Sequence, residues 1–279
     1  MASPLIPTYS FLKGDQATLP EAVSTISGLK GSASDQPEQS PGRRGSPNRV
    51  RKSGDTGRIL RDNVFGTLEG DIFRRDFSVN ALYYDPCREE VLDFIGGVAD
   101  LKQGVLRVIG DIDTRFAEDP VRMIRAVRFK SKLGLEFEPG IDRAIHENGQ
   151  LLEGVPAARL FDEVLKLFHH GAGAMTWKNL RATGLASILF PQTVHSIEGK
   201  SGHRFEELVL QALKNTDNRI NRDQPVIAGF LFAVFLWQPY CVRLQNSLAS
   251  GVRINEAQWN AAEFVFKSQS RTVSLPWRV

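Results

Sequence analysis

The sequence predicts an α+β fold, with mixed short strands and helices over residues 58–115 and an all-α remainder from 116 to 279. Three observations carry this. Short apolar runs of strand character, punctuated by turn residues, occupy 77–84, 91–94 and 105–110. Beyond Phe116 the apolar residues recur every three or four positions, the spacing of helices with one buried face. Upstream, residues 1–57 show no such period and predict a poorly structured segment, although 19–29 (LPEAVSTISGL) suits a short strand or helix. The chain thus divides into 1–57, 58–115, 116–191 and 192–279, the last two helical.

Within the mixed region, DPCRE (85–89) separates the first two strands like a hairpin turn, and Gly96-Gly97 closes the next. The first long helix has readable ends: Asp119 suits the N-cap, Pro120 the first helical position, where its missing N–H costs nothing, and Gly134 the stop. Val121, Ile124, Val127 and Leu133 form its apolar stripe, flanked by a cationic row of Arg122, Arg125, Arg128 and Lys132. Further helices are predicted over 141–154, 157–171, 174–185, 204–220, 225–237 and 256–268.

Composition excludes several classes. The longest apolar run, Val226–Trp237, has 12 residues, where a bilayer span needs about 20, so no membrane partner is expected. Cys87 and Cys241 lie far apart without a CxxC or Cys/His cluster, which predicts neither a disulfide framework nor a zinc site and fits a cytoplasmic location. The start shows no secretory pattern. Residues 1–58 carry 8 Lys+Arg against 5 Asp+Glu, which leaves 27 of each sign for the rest. The excess concentrates in the Pro/Gly/Ser/Arg-rich stretch 41–58, readable as a linker or as an arm whose arginines contact RNA phosphate.

Two segments carry chemistry. Arg74, Arg75 and Asp76 lead into the strand-like FSVNALYY, where two arginines also suit a plain solvated edge. In EDPVRMIRAVRF (118–129), Asp119 and Arg122 are three apart, which predicts a carboxylate and a guanidinium side by side on one helical turn. As structure, Asp119 is a cap worth about 0.5–2 kcal/mol. As chemistry, the pair copies a base-pairing edge: the carboxylate accepts from an exocyclic amine and the guanidinium donates to the adjacent ring nitrogen. Adenine and cytosine present that order; uracil and guanine do not. ATP or CTP is thereby selected without a template, with Arg125 and Arg128 left to hold triphosphate or RNA phosphate.

RRDFSVNALYYD (74–85), DFIGGVADLKQGVLRVIG (93–110), EDPVRMIRAVRF, VPAARLFDEVLKL (155–167) and LFPQT (189–193), in this order, resemble the class II nucleotidyltransferases that extend RNA 3′ ends. LRDNVFGT (60–67) and LKNTDNRI (213–220) are closer to the bacterial poly(A) polymerases than to the CCA-adding tRNA branch. The resemblance spans 58–239. It implies a nucleotidyltransferase head, incomplete here, then a helical neck and body. It also implies transfer of AMP from ATP to an RNA 3′ hydroxyl under two Mg²⁺ ions, in RNA processing and decay. Carried over by position, Asp119 and Arg122 read the base, and Arg75, Asp76 and Asn80 belong to the nucleotide site. Arg74, Arg125 and Arg128 contact phosphate or RNA, and Glu118, Arg159 and Glu163 support the cleft. A CCA-adding activity, or a non-catalytic RNA-binding remnant, is the alternative.

The family's metal-binding carboxylates stand in a D-x-D strand after a Gly-rich turn, and nothing before Arg58 has that form. No metal ligands are therefore assigned, impaired transfer is expected, and the chain reads as shorter than the family at both ends. Asp111 and Asp113 imitate the pair but belong to an expected loop before the EDP helix. GGVADL (96–101) imitates the Gly-rich turn, with Asp100 expected to cap a short helix, and Glu21 is a weak candidate for a third acidic position. His169 and His170 are expected as imidazolium at a helix end, and Trp177, Trp237 and Trp259 as packing residues.

Overall fold

A computed structural model describes residues 67–199 and 202–275. The readings of 1–57, of the basic stretch 41–58, of Glu21 and of most of LRDNVFGT lie outside the described residues.

The run 77–84 does not form one alternating strand. Phe77 makes an isolated antiparallel bridge with Val108, Ser78–Asn80 is a 3-10 turn, and only Tyr83–Asp85 (β1) is extended, antiparallel to Glu90–Leu92 (β2) with Tyr83 opposite Leu92. The bend has a steric cause. Gly97 packs against the Ser78 carbonyl so closely that a Cβ would collide with it, and Ser78 Oγ donates to Asp100 at 2.6 Å. The hairpin turn forms as expected, with Asp85 Oδ1 accepting from the Cys87 amide at 2.8 Å.

Ahead of β1 lies the short helix α1, Leu68–Ile72, capped by Thr67. After β2 comes α2, Gly97–Gln103. Asp100 does not cap it; Asp93 does, accepting from the amides of Ile95, Gly96, Gly97 and Val98 at 2.9–3.2 Å. Asp100 instead lies buried inside the helix, where it takes Ser78 and Arg107. The strand expected over 105–110 shortens to Val105–Leu106 (β3), parallel to Glu136–Phe137 (β4). Its remainder turns to the Asp76–Ser78 backbone, with Ser78 N donating to Arg107 O and Ile109 N to Asp76 O, both at 3.0 Å.

The expected loop at GDIDTR is a helix, Ile112–Glu118 (α3), because Asp111 accepts from the Thr114 amide at 2.9 Å and starts it. Then comes Val121–Leu133 (α4), ended by Gly134 at φ 66° as predicted. Pro120 occupies its N-cap, one position later than expected; its backbone is already helical (φ −57°, ψ −23°) while that of Asp119 is extended (φ −145°, ψ 92°).

The remainder is helical apart from β4: Ile141–Asn148 (α5), a 3-10 stretch Gly149–Gly154, Ala157–Phe168 (α6), Gly173–Ala182 (α7), Leu185–Leu189 (α8), Pro191–Ile197 (α9), Gly202–Ile220 (α10), Ala228–Ala249 (α11) and Ile254–Ser270 (α12). The 225–237 run opens α11, which continues through Pro239. No helix among the described residues is long and apolar enough to cross a membrane.

The larger of two cores runs from Phe77 to Leu275, with a small one at Ile72, Ala81 and Ile109, and α6, α7, α9 and α11 meet in the larger around Phe168, Trp177 and Phe235, with Phe190 at the start of α9. Trp177 is fully buried, as expected. Trp237 and Trp259 are not packing residues, at 52% and 70% exposed. α12 buries Ala257, Ala261 and Val265, a four-residue spacing that leaves Trp259 on the opposite face.

Candidate functional site

The residues singled out in the sequence gather where the turn after α1 meets the starts of α4 and α6. Arg75 is held on three sides. Its Nε donates to Tyr83 Oη at 2.9 Å, its Nη1 to the Asn80 carbonyl at 2.8 Å and its Nη2 to Asp71 at 2.8 Å. Arg74 Nε donates to the Gly70 carbonyl at 3.0 Å. These are the bonds of a tight turn, not of a solvated strand edge.

Asp76 is buried. Its carboxylate accepts from the Phe77 amide and Asn80 Nδ2, both at 3.0 Å, and from Arg125 Nε on α4. Burial pushes this carboxyl up, but the Arg125 charge, the Arg125 hydrogen bond and the other donors outweigh it and hold it below the ordinary value. One charge pair thus ties the early turn to α4.

A second tie was not anticipated. Arg115, at the end of α3, donates through Nη2 to the carbonyls of Arg74 and Arg75, at 2.9 and 2.6 Å. Its Nη1 donates to Glu118 at 2.9 Å, and Arg122 Nη1 reaches the same carboxylate at 3.1 Å and the Arg115 carbonyl at 2.8 Å. Glu118 therefore bridges two guanidiniums. The sequence signal for Arg115 was present in GDIDTR, where a cation ends a capped helix, but it is local and gives no hint of the distant carbonyls.

The side-by-side arrangement of Asp119 and Arg122 is not what the structure holds. Arg122 is only 7% exposed and turned toward Glu118 and Arg115, whereas Asp119 Oδ2 accepts from Arg159 Nη2 on α6 at 2.7 Å. The physical reason is competition. Glu118, one turn back, offers Arg122 a carboxylate that is nearer than a substrate, and Asp119, with extended backbone outside the helix, points at α6 instead. As a cap it is weak, with its Oδ1 at 3.4 Å from the Val121 amide.

Arg159, read from the sequence as cleft support, makes this ion pair from α6, and Glu163, four residues on, is buried and pairs with Lys166 at 2.9 Å. Arg128 lies over the Phe129 ring, 4.8 Å from its centroid. Burial works against the imidazolium form expected at His169 and His170: it lowers both, and His170, with Lys132 adding to the effect, is pushed down to about 4.

The described residues do not fit Mg²⁺. Asp111 is committed to Thr114, and Asp113 to Arg143 at 2.7 Å and Asn148 at 3.3 Å. No group of three or more His, Cys, Asp or Glu among the described residues suits a metal ion.

Two family models match: the poly A polymerase head domain over residues 35–107, and a probable RNA and SrmB-binding site of polymerase A over 134–196. The chain is 41% identical over 227 residues to poly(A) polymerase I of Escherichia coli, covering 81% of this chain and 49% of that protein. It is 45% identical over 188 residues to poly(A) polymerase I of Haemophilus influenzae, covering 67% and 42%. A CCA-adding enzyme of Lactobacillus delbrueckii is 33% identical over 172 residues, covering 62% and 40%. The chain thus spans about half the length of the curated relatives it matches. A solved CCA-adding enzyme in apo form II aligns at 20% identity and TM-score 0.46 over 78% of this chain and 61% of its own, too loosely to bear on the site. By its sequence, the chain belongs to the superfamily of bacterial poly(A) polymerases and tRNA nucleotidyltransferases.

Proposed function

We propose that this protein serves template-independent addition of AMP from ATP to RNA 3′ ends, with Asp119 and Arg122 as the groups that read the base. The identity to two poly(A) polymerases, 41% and 45%, carries the reading. The geometry supports it in a specific way. Each half of the base-reading edge has a stand-in partner of matching hydrogen-bond sense. Arg159 donates to Asp119 where the adenine amine would donate, and Glu118 accepts from Arg122 where the adenine ring nitrogen would accept. Arg159 is 52% exposed, and exposed ion pairs are worth about 0–1 kcal/mol, so freeing Asp119 costs little, whereas Arg122, 7% exposed, has to exchange Glu118 in a buried setting. Arg75, Asp76 and Asn80 form the head side of this site, and Arg74 and Arg125 line the path for phosphate.

The described residues supply no carboxylate set for Mg²⁺, so the transfer step is not assigned to them. What they supply is selection and orientation of the nucleotide. Competition binding against a fluorescent ATP analogue tests this. ATP should displace it at least tenfold better than GTP or UTP, because the wrong base leaves Asp119 or Arg122 facing a like group. Equal displacement by all four nucleotides would remove the base-reading role. The identity to a CCA-adding enzyme supports a second reading, since cytosine offers the same edge; CTP binding as tight as ATP would favour it.

A further inference from the structure

Further along α4, beyond Arg125, a cavity of about 140 Å³ is lined by Arg128, Phe129, Lys132, Lys166, His169 and His170. Four features of it converge. Every polar side chain in that lining carries a positive charge or a neutral imidazole. Three of its residues hold buried polar atoms with no hydrogen-bond partner: Arg128 Nε, His169 Nε2 and His170 Nδ1. An arginine Nε–H is always a donor, so it demands an acceptor. Lys132 is half-buried next to Arg128, and both are destabilised as cations, by burial first and then, for Lys132, by Arg128.

The carboxylates that act on Arg128 are Glu163 and Asp76, and each already has a cation of its own, Lys166 and Arg125. Glu163 thus acts on both Lys166 and Arg128, whereas the one charge acting on Lys132 is the cation Arg128. A buried donor beside an uncompensated cation favours an anion over water.

We propose that this cavity is a binding site for a phosphate group, held by Arg128 and Lys132 beside the two imidazoles. The cavity and its donors carry the site by themselves; that the phosphate belongs to RNA or to the nucleotide rests on the function proposed above. Position allows either source. Arg128 and Lys132 lie six and ten residues beyond Arg122, about 9 and 15 Å along the helix axis, a reach spanned by a nucleotide's own phosphates or by the next links of an RNA chain.

Two measurements on the full chain separate these levels. Inorganic phosphate, titrated while the imidazole ¹⁵N signals are followed by NMR, should shift His169 and His170 saturably in the wild type. The shift should be lost in Lys132→Gln and retained in Lys132→Arg, which keeps the charge and so controls for folding. Unmoved histidines, or identical behaviour of Lys132→Gln and the wild type, would overturn the site.

The second is binding of an oligoadenylate without terminal phosphates, and separately of ATP. If RNA is the source, Lys132→Gln weakens the oligonucleotide, leaves ATP unchanged, and lowers the slope of log affinity against log salt by about 0.7, one phosphate's share. The reverse pattern assigns the phosphate to ATP. Loss of inorganic phosphate alone, with RNA and ATP unaffected, overturns the link to the proposed function and leaves the anion site standing. Lys102→Gln, at an exposed lysine on α2, should alter none of these.

Discussion

A guanidinium takes the best acceptors within its reach, and for Arg122 these are Glu118 and the carbonyl of Arg115. The sequence placed a carboxylate and a guanidinium three residues apart, and the structure puts the first just outside α4 and the second in its first turn. Sequence alone could not show their orientation, since that depends on Arg159, 40 residues away, and on a helix, α3, that was read as a loop. Asp76 and Arg125 are the converse case: both were named, yet only folding brings them together across 49 residues. Arg125→Met leaves the buried Asp76 carboxylate without its cation. Since the Arg125 side chain is 32% exposed, the expected loss is roughly 2–4 kcal/mol, slightly under the range for wholly buried pairs. The sign of its pH dependence follows. In the wild type the folded carboxyl is depressed, so its stabilisation is present above the unfolded value near 3.8 and lost as pH falls through the folded one. In Arg125→Met the penalty exists only while Asp76 is ionised. Urea unfolding at pH 7 and pH 4 should therefore show a smaller deficit at pH 4, and an equal deficit at both would refute the pairing.

At the level of elements, Pro239 inside α11 has no N–H for the Phe235 carbonyl four residues back. Thr193 on α9 fills the gap, its hydroxyl donating to that carbonyl at 2.8 Å in a buried setting. Thr193→Val should cost about 1–3 kcal/mol by orphaning the carbonyl. In a Pro239→Ala background, where the helix supplies its own donor, thermal or urea unfolding should show a smaller cost; strict additivity would contradict the account. The same logic explains LKNTDNRI, whose role the sequence did not disclose. Asp217 on α10 accepts from the amides of Gly173 and Ala174, at 2.6 and 3.0 Å, and so caps α7 from another helix. Helix ends marked by local chemistry, such as Gly134, were legible. The strand at 77–84 was not, because its apolar alternation is real and only the contact of Gly97 with Ser78 bends it.

For the whole molecule, the charge pairs Asp76–Arg125 and Asp119–Arg159, with the Arg115 bonds to the Arg74 and Arg75 carbonyls, join the mixed region to the helical one around the place where the named site residues collect. The change from short strands to mainly helix was legible from periodicity, although β4 at Glu136–Phe137, paired with β3, departs from the all-α expectation for 116–279. The ties between the two regions were not, because they are tertiary. The central claim is that Asp119 reads the base and that Arg159 occupies its place until a nucleotide arrives. Calorimetric titration of ATP into the wild type, Asp119→Ala and Arg159→Ala tests it most directly. The account predicts that Asp119→Ala loses roughly 10- to 100-fold in affinity, the share of a hydrogen bond to a charged group, while Arg159→Ala binds as tightly as the wild type or tighter. Wild-type affinity in Asp119→Ala, or an equal loss in both variants, would contradict it.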